Sequence, residues 1–187
     1  MSAAQKTKEV LSWIWPILIG VLIALGIREW VAEPVRVPSA SMYPTIPALD
    51  AQKQSYVLVN KIPVEFGHLY RGEVVVFHWP DNPKKLFVKR IVGMPNDTIT
   101  VTEHAVYING KKLVETNPGI AKSNGPYLGT WHVPAGHYFM LGDNRPISDD
   151  SRLWVHKYVA RSAIVGEAEF VLLPINKMTF INQSLQG

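Results

Sequence analysis

The eighteen residues between Glu9 and Arg28, VLSWIWPILIGVLIALGI, carry no charge, and this run constrains the fold more than any other feature. As a helix rising about 1.5 Å per residue it is roughly 27 Å long, close to the ~30 Å hydrocarbon core of a bilayer. Trp13 and Trp15 lie near one end and Trp30 near the other, where amphipathic rings favour a membrane interface. Pro16 falls in the first two turns, where a lost backbone donor costs less than at the centre. A buried core helix or a cleaved signal peptide would share the apolar run. A signal peptide needs small residues at a cleavage site just beyond it, and REWVAEPVRV offers a poor one. The sequence therefore predicts a transmembrane anchor over residues 10–32 after a short tail at 1–9. Lys6 and Lys8 precede the span, and Arg28 and Arg36 follow it. With so short a leading tail, the expected topology is single-pass in the cell membrane, with a cytoplasmic N-terminus and residues 33–187 on the extracytoplasmic face.

Beyond Pro34 no apolar stripe of helical period appears. Instead SYVLVN, EVVVFHW, LFVKRIV, TITVT, AVYI, KLVE, HYFML and the stretch from Ile164 to Leu173 are rich in β-branched and aromatic residues, the signature of strands. Fourteen prolines and thirteen glycines supply the turns. Asn109-Gly110 between two such runs predicts a two-residue hairpin with positive φ at both positions. The expected fold is mostly β: the N-terminal transmembrane helix followed by an antiparallel β catalytic domain with a small inserted β/loop cap at 103–135. NPGIAKSNGPYLG, from Asn117 to Gly129, is its loosest part and reads as a surface loop.

The chain has no cysteine, which excludes a disulfide scaffold, a thiolate nucleophile, a thiolate zinc site and an iron–sulfur site. Its six histidines show no HExxH, no HxH and no pair at helical spacing, so no metal site is expected. Asp143 has Arg145 two residues on, where a calcium loop needs an oxygen ligand. Lys84-Lys85 and Lys111-Lys112 are isolated pairs within a net charge of +4, which does not suggest a nucleic-acid partner.

Serine chemistry survives these exclusions. GxSxG is absent, but VPSASMYPT places Ser39 and Ser41 in a loop stiffened by Pro38 and Pro44. Such rigidity suits a nucleophile, although the same residues commonly just build turns. Lys89 lies within LFVKRIV, where alternation groups Phe87, Lys89 and Ile91 on one face and Leu86, Val88, Arg90 and Val92 on the other. An apolar setting lowers a lysine pKa and makes the amine a usable base. At the reference value of about 10.4, roughly one lysine in 2,500 is neutral at pH 7, and lowering it to about 8 takes some 3 kcal/mol, within the reach of burial. Arg90 does not deprotonate. The competing arrangement is that both cations snorkel to the strand edge. A third cluster, MLGDNRPISDDSR from Met140 to Arg152, fits either a solvated turn or a hydrogen-bonded polar platform.

These clusters, in this order behind one span, resemble the bacterial type I signal peptidases. The resemblance covers nearly the whole chain: SxSMxPT as SASMYPT, the GEVVVF box, KRIVGxPGD as KRIVGMPND, and GDNRxxSxDSR as GDNRPISDDSR. It implies Ser41 as nucleophile, Lys89 as general base, and an oxyanion hole from the Ser39 hydroxyl and the Ser41 backbone N–H. It also implies Ser148 as the residue orienting the amine, with Asp150 and Arg152 as structural support. No cofactor is implied. The implied substrates are signal-peptide-bearing pre-proteins with small residues at −1 and −3, and the implied surroundings are membrane lipid. Met42, Tyr43 and Ile46 are expected to line the substrate pocket. Ser41 follows Ile27 by fourteen positions, so even a fully extended link keeps it within about 50 Å of the bilayer.

Several positions depart from the family pattern. Ala40 and Asn96 stand where glycine is common, Pro146-Ile147 replaces a polar pair, and PALDAQKQ replaces a glycine-aspartate turn. These put substrate preference in question more than activity. Two other readings start from the same residues: a self-cleaving Ser-Lys protease akin to the SOS-response repressors, and an inactive membrane-anchored β-domain that binds or regulates exported proteins. The span and the absence of a DNA-binding N-domain count against the first, and the retention of both Ser41 and Lys89 counts against the second.

Overall fold

In the computed structural model, which describes residues 3–48 and 54–181, an apolar helix leads into two antiparallel sheets. Helix α1 spans Ala3–Trp30, and its stretch Ser12–Trp30 is long and apolar enough to cross a membrane. The large hydrophobic side chains described there, from Trp13 to Trp30, are all exposed. None of that stretch is buried against the rest of the described chain.

The elements that follow are β1 (Ala32–Val37), β2 (Ser55–Asn60), a short helix α2 (Ile62–Phe66), β3 (Val74–Trp79) and β4 (Asn82–Gly93). The strands β5 (Thr98–Val101), β6 (Val106–Ile108), β7 (Lys111–Lys112) and β8 (Gly129–His132) come next. The described chain closes with β9 (His137–Leu141), β10 (Val159–Ala160), β11 (Ile164–Leu173) and β12 (Thr179–Phe180). The larger sheet has the order β1-β2-β11-β3-β4-β9-β10 with β12 on β11, and the smaller has the order β7-β6-β5-β8. The hairpin at Asn109-Gly110 forms as the sequence predicts, with φ of 52° and 81°. Residues 103–135 supply three strands of the smaller sheet, and the fourth, β5, lies upstream of 103.

Alternation along β3 and β4 sorts their side chains between two core clusters. Val74, Val76 and Val88 join Val57, Val59 and Ala168 on one side. Val75, Phe77 and Ile91 join Met140, Trp154 and Ile164 on the other, with Phe87 packed against them. The stretch from Asn117 to Gly129 is an irregular loop, as expected, but three of its side chains point inward. Asn117, Ile120 and Asn124 are buried in it, because Asn124 Nδ2 donates to the Thr102 and Ala105 carbonyls and its side-chain oxygen accepts from Arg145. A buried side-chain amide with both donors used and its oxygen bonded to an arginine is a fastener rather than a loop tip.

Cross-strand register relates the end of α1 to the interior. Ala32 pairs with Asn60, Asn60 with Glu167, Glu167 with Val75, and Val75 with Lys89. Lys89 thus stands in the same cross-strand row as the residue where the chain leaves the helix. Four strand spacings of about 4.8 Å place its backbone roughly 19 Å away along the sheet, a much tighter tether than the extended-chain limit.

Candidate active site

The loop after β1 is pinned from below. A single 3-10 turn, Ala40–Met42, follows the extended Ser39, with Tyr43 N donating to Ala40 O and Ile46 N to Met42 O. This turn sends Met42 and Ile46 into the core among Val37, Val57, Val74 and Val88. Both are completely buried, while Tyr43 is partly exposed. The sequence reading expected all three in the substrate pocket, but none is among the residues around the cleft beside Ser41: Met42 and Ile46 are spent on anchoring the loop in the core. The walls are formed instead by Val37, Pro38, Leu86, Phe87, Val88 and Ile147, with Arg36 and Asp149 as charged members. The replaced turn PALDAQKQ falls partly outside the described residues.

With its ends fixed, the loop holds Ser41 against β4. Ser41 is buried, its carbonyl accepts from Asn144 N at 3.0 Å, and Asn144 Nδ2 donates to Ala40 O at 3.1 Å. Lys89 Nζ donates to Ser41 Oγ, and Ser39 Oγ lies 3.2 Å from Ser41 Oγ. Lys89 is only 3% exposed; it does not snorkel, and neither does Arg90. Its amine sits 5.6 Å from the centre of the Phe87 ring, and no carboxylate among the described residues pairs with it. Burial pushes its pKa down to about 8, against the pull of the carboxylates of Asp150, Asp149 and Asp143, with the Arg152 charge adding to the depression.

Met140–Arg152 is a platform and not a solvated turn. Asp150 accepts from Arg152 Nε and Nη2, both at 2.8 Å, and from Gly142 N at 3.1 Å. Arg152 continues to the Asn124 and Arg145 carbonyls, and Arg145 bonds Asn124, Glu115 and Gly142 O. Arg90 grips Asp143 with two bonds of 2.8 and 2.7 Å, and Thr45 donates to the same carboxylate. Asp150, Arg145, Asp143 and Arg90 are wholly buried, so each charge needs the partner it has. Ser148 Oγ is also buried but has no hydrogen-bond partner.

The structure therefore gathers Ser39, Ser41 and Lys89 at one point, with Asp150 and Arg152 behind them and Ser148 alongside. Sequence reasoning gave no role to Arg90, Asp143, Thr45, Asn124 or Glu115. The one available signal was Arg90 itself, a cation among apolar neighbours on a strand, which calls for a buried carboxylate. Among the described residues no group of three His, Cys, Asp or Glu side chains is placed to hold a metal.

Residues 10–173 match the family described as signal peptidase, peptidase S26. The chain is 37% identical to signal peptidase I T of Bacillus subtilis (strain 168) over 185 residues, covering 95% of this chain and 92% of the relative. Signal peptidase I of Leptolyngbya laminosa is 37% identical over 184 residues, covering 95% of this chain and 86% of the relative. A crystal structure of a signal peptidase I from Enterococcus faecalis V583 aligns with a TM-score of 0.42 at 30% identity, covering 54% of this chain and 96% of that one. On the family match and the extent of these identities, the chain belongs to the signal peptidase family, peptidase S26.

Proposed function

We propose that the protein is a membrane-bound endopeptidase that removes signal peptides from exported pre-proteins by acyl-enzyme catalysis on a Ser41–Lys89 dyad. The observation that carries this reading is the contact between Lys89 Nζ and Ser41 Oγ, made by an amine with almost no solvent access and a pKa of about 8. At that pKa about one amine in ten is neutral at pH 7, against roughly one in 2,500 for an ordinary lysine. The gain in competent base is about two hundredfold.

In its neutral form the Lys89 amine accepts the Ser41 proton as Oγ attacks the scissile carbonyl, then returns it to the departing amine, leaving Ser41 acylated. Water enters by the same route, with Lys89 again the base, and releases the acyl group as the new C-terminus. The Ser39 hydroxyl and the Ser41 N–H stabilise the oxyanion, donors of a kind that contribute a few kcal/mol each. Asp150 and Arg152 hold the strand-end backbone at Gly142 that backs the amine, and Ser148, whose hydroxyl lacks a partner, supplies a hydrogen bond to Lys89 once substrate closes the cleft.

Residues 10–32 anchor the enzyme, the tail at 1–9 is cytoplasmic, and 33–187 form the extracytoplasmic catalytic domain with 103–135 as a non-catalytic insert. The lateral distance of roughly 19 Å from anchor exit to Lys89 along the sheet keeps catalysis near the lipid surface, where signal peptides present their small-residue site. The narrow apolar walls around Ser41 suit small side chains at −1 and −3. The test is incubation of the detergent-purified protein with a signal-peptide-bearing precursor, followed by N-terminal sequencing of the product. Cleavage after the A-x-A-like site is expected, and an intact precursor would refute the assignment.

A further inference from the structure

Asp149 is the one acidic residue among those lining the cleft, where it shares the walls with Ser41, Lys89 and Ile147. Its two neighbours, Ser148 and Asp150, are completely buried, while its own side chain faces solvent. The other carboxylates around the site are engaged, Asp143 by Arg90 and Asp150 by Arg152. Asp149 has no hydrogen bond or ion pair among the described residues. This unpaired carboxylate holds no partner in place, yet its field reaches the reacting groups: it opposes the depression of the Lys89 pKa. Arg36 lines the same cleft from β1, so the walls carry opposite signs and a substrate charge is sensed by position as well as by sign.

We infer that Asp149 is a specificity residue of the cleft, favouring pre-proteins with a lysine or arginine beside the scissile bond over those with an acidic residue there. The inference rests on the signal-peptidase reading of this cleft. Chemically it is a point-charge match at a partly solvated wall, so it is sensitive to ionic strength over a Debye length of about 10 Å at 0.1 M salt.

The experiment uses the full chain in detergent and a set of precursor peptides identical except for one Lys, Gln or Glu walked a position at a time across the scissile bond. At the position opposite Asp149, the parent enzyme should cleave the Lys peptide faster than the Glu peptide by about three- to tenfold in kcat/KM at low salt, the scale of one attraction plus one repulsion between exposed charges. Asp149→Asn should bring that ratio close to one, and Asp149→Lys should invert it. Glu103→Gln, the same change of charge at an exposed site in the turn between β5 and β6, should retain the parent ratio, which separates a local field from net charge. A ratio unchanged in Asp149→Lys, or no position at which the parent prefers Lys, would overturn the inference. Failure of the peptidase reading looks different, because then none of the peptides is cut.

Discussion

Lys89 and Arg90 are adjacent on one strand, both buried, and oppositely treated: Arg90 is clamped by both oxygens of Asp143, whereas Lys89 has no carboxylate partner among the described residues and donates to the hydroxyl of Ser41. The paired cation keeps its charge and builds the fold. The unpaired one is driven toward neutrality, the state in which an amine can act as a base.

Activity should follow the deprotonation of Lys89. Its pKa of about 8 predicts that kcat/KM rises about tenfold per pH unit on the acid side and levels off above pH 8. A profile flat from about pH 6 to 9 would contradict the role of this amine.

The same depression has a cost in stability. Lys89 has a folded-state pKa of about 8, below its unfolded value of about 10.4, so between these limits the unfolded chain binds the extra proton and stability rises with pH. Below pH 8 the penalty is fully present. Lys89→Met should therefore be more stable than the parent by up to about 3 kcal/mol at pH 7, with the gap closing as pH rises toward about 10.4. Urea unfolding of both proteins at pH 7 and pH 10 checks this.

Arg90 and Asp143 should behave in the opposite way. Removing one member of a wholly buried pair strands the other charge, so Asp143→Ala should lose about 3–5 kcal/mol. Thermal unfolding should show a large fall, whereas a surface carboxylate such as Glu103, 68% exposed at its side chain, should be replaceable with little effect.

Gly142 marks where the platform touches the nucleophile loop. A Cβ built there would stand 2.5 Å from the Ser41 carbonyl oxygen and would overlap the Ser148 hydroxyl. Relief requires the loop or Ser148 to shift. Because displacements near 1 Å cost on the order of a hundredfold in rate, Gly142→Ala should lose activity on that scale, mainly in kcat. An unimpaired variant would show that the Ser41 loop tolerates movement.

Much of this was legible in the sequence because it is local. The charge-free run gives the helix, alternation in LFVKRIV separates Phe87 and Lys89 from Val88 and Arg90, and Asn96 adopts the left-handed conformation, with φ of 70°, that lets it stand for glycine. The unread features depend on residues far apart in the chain. Met42 and Ile46 were assigned to the pocket because they flank Ser41, but a single 3-10 turn rotates them into the core. Asn124 looked like part of a polar loop, and only its bonds to the distant Thr102 and Ala105 carbonyls, together with those its own oxygens accept from Arg145 and Arg152, make it structural. The row joining Ala32 to Lys89 runs through five strands whose order no periodicity encodes.

The most direct test of the dyad is precursor cleavage by Ser41→Ala and by Lys89→Met, each first shown by circular dichroism to retain the parent fold. Neither variant should release mature protein above the uncatalysed background. Parent-like cleavage by either one would contradict the account.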